Sequence, residues 1–516
     1  MSEKKKRKRN SFAHNTGYSI ASQLLSLAIS FIMGFLLPRY LDEYQYAYKQ
    51  VFALYIGYLG VLHFGLLDGI MLRYAQYDYD ELDKPRLRSQ FCILLTGTTL
   101  ICVYCCFVAA LVLSGVTRQL VILIAVSAIT KNVFTYTSYA YQITNQIGRY
   151  SLLVIAQRIT YAVIIVSLLF FRVGTYTWYC IAELCGDLVG ILIGCCLNRQ
   201  LFFGRTLPPR PALAEAWKNV SSGFFLMVAN FSSILLVGSA RMVIQWRWDD
   251  LVFGKTSFSF VLTSLFLTFV SAISVVLFPS LKRMDADDLP KLYYKIRTAF
   301  SPILFTLLIG FFPLCLILRM WLPKYTDSLY YLAFLLPLIV FTSKAGLLTD
   351  NYLKAYRKER LMLLINLATI VLGICLFLLC AYVADNLILL LLAVVLAVMV
   401  RSVLSEIAVM KVIGKVRITE FFLDFLMTAA FIASAHFFRL WVGCLVYAGC
   451  LILYLFVYRK PLISVFGQFR DRFRRGRQNA SVPNPQGDAA PDRQSADAEQ
   501  NDASHRNGSS GNETQN

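Results

Sequence analysis

Two apolar runs joined by a short acidic turn open the chain: SFAHNTGYSIASQLLSLAISFIMGFLLPRYLDEYQYAYKQVFALYIGYLGVLHFGLLDGIMLRYAQYDYDELDKPRLR, residues 11–88. The turn is RYLDE (39–43), and the acidic segment DYDELDK (78–84) follows the second run. Each run is long enough to cross the hydrocarbon layer of a bilayer, which needs about 20 mainly apolar residues in a helix. The opening stretch therefore predicts a helical hairpin that crosses a membrane twice.

The same arrangement returns 207 residues further along the chain. Asp42-Glu43 corresponds to Asp249-Asp250, and the segment 78–84 corresponds to 285–291, with no gap between the two matches. Internal repeats in a hydrophobic chain are typical of transporters, whose substrate site lies where the repeats meet. Each copy contains an even number of predicted spans, so the copies should share one orientation and be related by an axis along the membrane normal.

Composition indicates the same class of protein. The 516 residues are 57% hydrophobic and 16% charged, whereas soluble domains are about 45–50% apolar and about 25% charged. Apolar runs of the length of a membrane span occur fourteen times between residues 14 and 458. We therefore predict an all-α polytopic membrane protein with about 14 transmembrane helices: two six-helix lobes related by pseudo-two-fold symmetry along the membrane normal, plus two extra C-terminal helices.

The repeat and the apolar runs predict the boundaries of these parts. We expect a basic cytoplasmic N-terminus at 1–13, an N-lobe of spans 1–6 at 14–197, a cytoplasmic inter-lobe linker at 198–218, a C-lobe of spans 7–12 at 219–409, and spans 13 and 14 at 421–458. Residues 478–516 have almost no large apolar side chains and cannot form a core, so they are predicted to be a disordered polar cytoplasmic tail.

The formal net charge of +20 does not indicate a nucleic-acid partner, because the basic residues are spread over short loops rather than gathered on one domain. When the N-terminus is placed in the cytoplasm, most Lys and Arg residues outside the spans fall in cytoplasmic segments. Such an excess is the usual signal for orientation. We therefore predict a multi-pass protein surrounded by membrane lipids, with both termini in the cytoplasm.

Motifs of soluble enzymes are missing from the sequence. It has no phosphate-binding glycine loop, its 13 cysteines lie in apolar runs without the spacing of a zinc site, and its 4 histidines are scattered. We therefore expect no catalytic residue, no metal and no cofactor.

Lys131 lies near the middle of the fourth predicted span (120–145), too deep to reach either interface easily. A lysine that faces lipid at this depth costs about 3 kcal/mol or more, so it should face an aqueous cavity or a carboxylate. Thr135, Tyr139 and Gln142 lie at helical spacing from it and form a polar stripe along one face. The stripe predicts a cavity lining, and hydrogen bonding between helices is the alternative.

Glu183 and Asp187 lie four residues apart on one face of the sixth predicted span (177–197). Two carboxylates in a low-dielectric site suit the carrier group of a proton- or cation-coupled transporter. Neutralisation of Lys131 or Arg158 is an equally good interpretation of the pair. Asp68 is a weaker candidate for ion coupling, because it is close to the end of the second span.

Other polar residues extend the predicted site. Arg158 and Lys344 lie inside spans at a depth from which a long side chain can line a cavity or reach the headgroups. The lead helices of the two lobes (14–38 and 219–240) each have a polar face suited to a central cleft, marked by Asn15 and Gln23 in the first and Asn230 in the second.

Three motifs resemble the polysaccharide transporter branch of the multidrug/oligosaccharidyl-lipid/polysaccharide exporter superfamily, the Wzx-type flippases. They are LPRYLDEY (37–44), FGLLDGIMLRY (64–74) and VLFPSLKR (276–283). The resemblance covers spans 1 to 12. The sequence departs from the family where Tyr46 and Ala47 stand, since members often have glycine there, as the second copy does at Gly254.

The resemblance implies a function in the bacterial cytoplasmic membrane. A flippase of this family would move a polyprenyl-diphosphate-linked oligosaccharide from the cytoplasmic to the outer leaflet for surface polysaccharide biosynthesis, with polysaccharide polymerase machinery as a partner. A diphosphate needs a cationic, water-filled cleft to cross hydrocarbon. We expect that lining to consist of Arg73, Lys131, Arg158, Arg241 and Lys344, with Glu183, Asp187 and Asp68 available for ion coupling.

Other functions remain open from the sequence. One is a cation-coupled multidrug exporter of the same superfamily, which typically has an acidic residue in its first span, whereas the first span here has none. Another is a membrane glycan polymerase or ligase, against which the short outer loops argue. A third is a flippase for a peptidoglycan precursor or another polyprenyl lipid.

Overall fold

The computed structural model describes residues 3–75, 77, 79, 81–282, 289–356, 358–414 and 419–459. Within these residues all regular secondary structure is helical. The predicted tail at 478–516 lies outside them.

The first half of the chain forms nine α-helices. They are α1 (Glu3–Tyr40), α2 (Glu43–Ile56), α3 (Leu66–Tyr74), α4 (Lys84–Val112), α5 (Gly115–Ile143), α6 (Ile147–Phe170), α7 (Tyr176–Leu197), α8 (Arg199–Phe202) and α9 (Pro209–Arg247). A 3-10 turn, Leu59–His63, connects α2 to α3.

The second half continues in the same way. Its helices are α10 (Asp250–Lys282), α11 (Leu289–Leu308), α12 (Phe311–Trp321), α13 (Thr326–Leu335), α14 (Leu338–Ser343), α15 (Asp350–Ala355), α16 (Glu359–Leu378), α17 (Leu387–Ile413), α18 (Thr419–Phe437) and α19 (Leu440–Val457). A 3-10 turn (Pro323–Tyr325) precedes α13, and π-helical segments follow α14 (Lys344–Thr349) and α16 (Leu379–Val383).

The described residues contain 11 helices long and apolar enough to cross a membrane, or up to 14 if each of three bent pairs is one span. The bends are 58° between Glu43–His63 and Leu66–Tyr74, 58° between Pro209–Ser232 and Ile234–Arg247, and 50° between Pro323–Leu335 and Leu338–Ala355. The predicted all-α fold with about 14 transmembrane helices is confirmed.

Helix ends differ from the predicted boundaries where a helix continues beyond the apolar run. Helix α1 begins at Glu3, within the predicted N-terminal segment. The predicted linker at 198–218 contains α8 and the start of α9, whose Pro209 stands at the first helical turn. Proline is favoured at this position because a backbone nitrogen in the first turn of a helix has no hydrogen-bond partner within the helix. Apolar runs mark only the part of a helix inside hydrocarbon, so they miss these extensions.

The bend between α2 and α3 has a local cause. Phe64 and Gly65 both have positive φ angles, 49° and 83°, in the left-handed region that glycine adopts without strain. The backbone N–H of Gly65 donates to Nδ1 of His63, 3.2 Å away. The second span therefore turns at this point and presents α3 to the first half of α9.

Residues related by the 207-residue offset contact one another across the lobe interface. Lys255 Nζ lies 4.0 Å from Glu43 Oε2, and the Tyr48 hydroxyl bonds to the Asp250 carboxylate. Glu43 and Tyr48 are the counterparts of Asp250 and Lys255, so the two contacts are reciprocal, as a two-fold axis requires. The symmetry predicted from the acidic loops is thus present in the contacts at the N-terminal ends of α2 and α10, on the predicted outer side.

Small residues bring α3 and the first half of α9 into backbone contact. A Cβ atom added to Gly69 would lie 1.9 Å from the carbonyl oxygen of Asn219, and one added to Gly223 would lie 2.1 Å from that of Gly65. Glycines at four-residue spacing allow such close helix packing in membranes. This contact joins the lobes at the predicted cytoplasmic face.

We predict that Gly69→Ala destabilises the protein. Because the methyl group must displace the backbone of α9, the free energy of unfolding should fall by about 1–3 kcal/mol. Tryptophan fluorescence during thermal unfolding in detergent measures the change. Gly97→Ala is the matched control, since nothing lies within 4 Å of a Cβ there; equal melting temperatures for the two variants would contradict the close packing.

Candidate functional site

A group of charges lies between α5, α6 and α7. Lys131 Nζ is 3.6 Å from Glu183 Oε1 and 3.7 Å from Asp187 Oδ2. Gln157 Nε2 donates to Asp187 Oδ1 at 2.5 Å. Lys131 of the fourth span therefore faces the acidic pair of the sixth. In this arrangement the two carboxylates neutralise Lys131, which is one of the two interpretations that the sequence left open.

Two more cations belong to the same group. Lys49 on α2 and Arg158 on α6 both interact electrostatically with Glu183, and Tyr161 interacts with all three. Lys49 is buried, with 8% of its surface exposed. Lys49 is not among the residues predicted from the sequence, because it lies near the start of the second apolar run, where a charged side chain usually reaches the membrane interface. Its position three residues after Tyr46, on one face of α2, is the signal that places it inside.

Arg241, on the second half of α9, approaches this group from the other lobe. Its guanidinium donates to Ser257 Oγ at 3.4 Å and stands 5.6 Å from the centre of the Phe260 ring. Its charge also interacts with Tyr46 and Tyr58. Among the residues that the structure describes, no carboxylate forms a salt bridge with Arg241.

Two guanidinium nitrogens of this group lack a hydrogen-bond partner. The Nε atoms of Arg158 and Arg241 are buried, and neither forms a hydrogen bond within the described part of the chain. Buried polar groups normally have partners, since an unsatisfied donor costs free energy, and more so when it is charged. Arg297 and Arg401 also have unpartnered guanidinium nitrogens, but each of them forms a salt bridge, whereas Arg158 and Arg241 form none among the described residues.

Tyrosines connect Arg241 with the charges of the N-lobe. Tyr46 interacts with Arg241 and with Tyr161. We call the whole set the cationic cleft: Tyr46, Lys49, Lys131, Arg158, Tyr161, Glu183, Asp187 and Arg241. Its four cations face two carboxylates, which leaves an excess of two positive charges.

A second polar group lies where α3 meets α9. Asp68 hydrogen bonds with Asn230 and lies 3.9 Å from His63 Nε2, and its charge interacts with Tyr139. The structure thus brings together three predicted site residues from different spans. All three are separate from the salt-bridged group around Lys131.

The remaining predicted residues are more scattered. The Thr135 hydroxyl donates to the Lys131 carbonyl at 2.8 Å, Gln142 is partly buried on the same helix, and Gln23 is exposed on α1. The side chain of Asn15 lies outside the described residues. Arg73 donates to Asn219 Oδ1 at 2.5 Å and lies 2.8 Å from Glu215 Oε1.

Lys344 lies in a different charged network, inside the C-lobe. Its ammonium is 2.8 Å from Glu406 Oε1 and 2.5 Å from Asp424 Oδ2, and only 2% of the residue is exposed. Arg297 Nε lies 2.6 Å from Glu406 Oε2, and Arg297 also pairs with Glu420. We call this set the C-lobe network. It places Lys344 among carboxylates that bind α11, α17 and α18 together, rather than at the surface of the cationic cleft.

Two lobes with reciprocal contacts, at least 11 described helices that can span a membrane, and a cationic cleft with an excess of positive charge are the features of a polytopic membrane transporter. The family model described as "Polysaccharide biosynthesis protein" matches residues 12–285, more than half of the chain. The chain belongs to this family. The predicted membership of the polysaccharide transporter branch of the exporter superfamily is thereby confirmed. A comparison with curated proteins gives no match.

Solved structures share the fold. A lipid II flippase MurJ in an inward closed conformation is 13% identical with a TM-score of 0.62, covering 87% of this chain and 100% of that one. A MATE family multidrug resistance transporter of the MOP superfamily, inward-facing, is 14% identical with a TM-score of 0.59, covering 77% and 94%. At these identities the likeness shows the fold alone.

Substitution of a cation in the C-lobe network should destabilise the protein more than substitution of a cation in the cationic cleft. Lys344→Met leaves the buried Asp424 without a salt bridge among the described residues and removes one of the two cations that pair with Glu406, so it should lower the free energy of unfolding by about 3–5 kcal/mol. Arg241→Met removes a buried charge that has no carboxylate partner in the described chain, and should change it by no more than about 1 kcal/mol. Thermal unfolding of both variants in the same detergent measures the difference, and a larger loss for Arg241→Met would contradict these assignments.

Proposed function

We propose that the protein moves a polyprenyl-diphosphate-linked oligosaccharide from the cytoplasmic to the outer leaflet of a bacterial cytoplasmic membrane. Both termini lie in the cytoplasm, and the exported glycan passes to the polysaccharide polymerase machinery. The observation that carries the proposal is that Arg158 and Arg241 each have a buried Nε without a hydrogen-bond partner and form no salt bridge among the described residues, in a cleft with excess positive charge.

The charge of the cargo matches that of the cationic cleft. A diphosphate diester has one negative charge on each phosphate, and the cleft has two positive charges in excess. Arginine forms paired hydrogen bonds with phosphate oxygens, and lysine contributes a compact charge. The hydrophilic glycan occupies water between the lobes while the polyprenyl tail stays in lipid, so neither part has to cross the hydrocarbon layer alone.

Residues of both lobes contribute to binding in this mechanism. Lys49, Lys131 and Arg158 hold the diphosphate from the N-lobe, and Arg241 holds it from the C-lobe. Arg73 lies at the predicted cytoplasmic face, where the contact of α3 with α9 closes the interface. Cations on both sides of the interface allow one bound anion to favour an occluded state, because only that state brings them together.

Asp187 supplies the coupling step of the proposed cycle. A diphosphate that attracts Lys131 takes it from its two carboxylates, and Asp187 then keeps the Gln157 amide as its partner. A buried carboxylate without a cation favours its protonated form. Binding of the cargo is thereby linked to uptake of a proton. Release of the cargo returns Lys131 to Asp187, which then gives up that proton on the side of the membrane where the cargo leaves. Asp68, at the contact of α3 with α9, is a further candidate for such a role.

Two alternative functions differ from the proposed one in the identity of the cargo. A flippase for a peptidoglycan precursor is favoured by the structural likeness to the lipid II flippase MurJ, and it would use the same diphosphate chemistry. A multidrug exporter is favoured by the likeness to the MATE transporter. Mass analysis of polyprenyl-linked intermediates in cells lacking the protein identifies the lipid that accumulates, and drug susceptibility of the same cells tests the exporter.

Lys131→Ala should block export at normal expression. Loss of one charged contact to the diphosphate is expected to slow translocation about 10- to 100-fold, so surface polysaccharide falls and lipid-linked oligosaccharide accumulates on the cytoplasmic leaflet. Mass analysis quantifies the intermediate, and a membrane-impermeant oxidant applied to spheroplasts reports its leaflet. Lys324→Ala, an exposed lysine at the predicted outer face, is the control. Normal surface glycan in Lys131→Ala would refute the role of Lys131.

Asp187→Asn should separate transport from the proton gradient. In proteoliposomes, the wild-type rate of translocation is expected to respond to an imposed pH gradient, because Asp187 exchanges a proton in each cycle. The asparagine variant cannot titrate and should translocate at a rate that the gradient does not change. An unaltered response to the gradient in Asp187→Asn would remove Asp187 from the coupling step.

A further inference from the structure

A pocket of about 380 Å³ opens at the predicted outer face of the C-lobe. Asp327, Tyr330 and Tyr331 of α13 form one wall. Asp385 and Asn386, with the first residues of α17, form the other. The volume is within the range of pockets that hold small molecules, roughly 300–1,000 Å³. None of these residues belongs to the cationic cleft.

The charges of the pocket are balanced. Asp327 Oδ2 lies 2.7 Å from Lys255 Nζ, and Asp385 Oδ1 lies 2.8 Å from Arg247. Each carboxylate is thus paired through one oxygen and keeps the other as a hydrogen-bond acceptor. A pocket whose acids are already neutralised offers little attraction to an ion, but it remains rich in groups that bind hydroxyls.

Aromatic rings give the pocket an apolar surface beside these polar groups. The Tyr330 ring lies 6.0 Å from that of Tyr331, 5.4 Å from that of Phe334 and 5.0 Å from that of His436, measured between ring centres. Tyr330 is still 39% exposed. Packing on three sides fixes its orientation, so a ligand can stack on it at little cost in side-chain entropy.

The pocket adjoins the point where the two lobes meet. Lys255, which pairs with Asp327, also lies 4.0 Å from Glu43 of the N-lobe. Separation of the lobes at the outer face would break the contact with Glu43 and leave the pocket at the edge of the opening. A molecule that leaves the cleft toward this face passes beside it.

We infer that this outer pocket binds an uncharged sugar residue of the transported glycan as it emerges, with Tyr330 stacking on the sugar ring and Asp327 and Asp385 accepting its hydroxyls. A sugar has apolar C–H faces and a rim of hydroxyl donors, and the pocket has the complementary ring and acceptors without net charge. The inference rests on the proposed function for the nature of the cargo. It adds a site outside the cleft that recognises the glycan rather than the diphosphate.

The test uses the full-length protein in nanodiscs and a glycan that lacks the diphosphate. The probe is the free oligosaccharide released by mild acid from lipid-linked intermediates of cells lacking the protein. Saturation-transfer NMR should show contact between aromatic side chains and sugar protons in the wild type. Tyr330→Ala should weaken binding about fivefold through loss of one aromatic contact, whereas Tyr330→Phe keeps the ring and should retain most of the binding.

Tyr382→Ala is the matched control, because Tyr382 is a tyrosine with 57% exposure that does not line the pocket. It should bind the oligosaccharide as the wild type does. Equal binding by wild type and Tyr330→Ala, or no transfer in the wild type, would overturn the inference while the accumulated intermediate still supports the proposed function. Absence of any lipid-linked intermediate in cells lacking the protein would overturn both.

Discussion

Charge buried in a low-dielectric interior has to be paired, hydrated or bound to a ligand. The two lobes meet this constraint in different ways. In the C-lobe network every cation of the set has a carboxylate partner, and Lys344 is almost fully buried. In the cationic cleft the cations outnumber the carboxylates, and Arg158 and Arg241 form no salt bridge within the described chain. In the first arrangement each cation is paired within the protein, while the second keeps an excess of positive charge that the proposed anionic cargo would balance.

Both arrangements begin from one repeated feature. In each lobe a lysine of the fourth span pairs with a glutamate of the sixth: Lys131 with Glu183, and Lys344 with Glu406. In the C-lobe, Asp424 on α18 adds a further carboxylate at 2.5 Å and draws the first of the two extra spans onto the lobe. In the N-lobe the second carboxylate is Asp187, on the same span as Glu183, and the lysine keeps longer contacts of 3.6 and 3.7 Å. The two lobes therefore share one lysine–glutamate pair, and they differ in the charged residues that surround it.

The sequence predicts most of the fold because hydropathy and helical spacing are local properties of the chain. The acidic pair Glu183 and Asp187 was recognisable from its spacing alone, and so was the polar stripe of Lys131. Contacts between distant residues were not: Asp424 is 80 residues beyond Lys344. The bend after His63 also escaped prediction, since it depends on two left-handed residues whose position is fixed by contact with α9.

Helix α9 contacts both lobes and connects them. Its first half contacts α3 through Asn219 and Gly223, and its second half contacts α16, where a Cβ atom on Gly373 would lie 2.7 Å from Leu236. The 58° bend lies between these contacts. Because each half is fixed to a different lobe, a rocking motion of the lobes must be taken up at the bend, next to the bond between Asn230 and Asp68. Arg241 lies beyond the bend, so in the proposed transport cycle the motion that opens the interface would withdraw one cation of the cleft from the other three and weaken the binding of the anionic cargo.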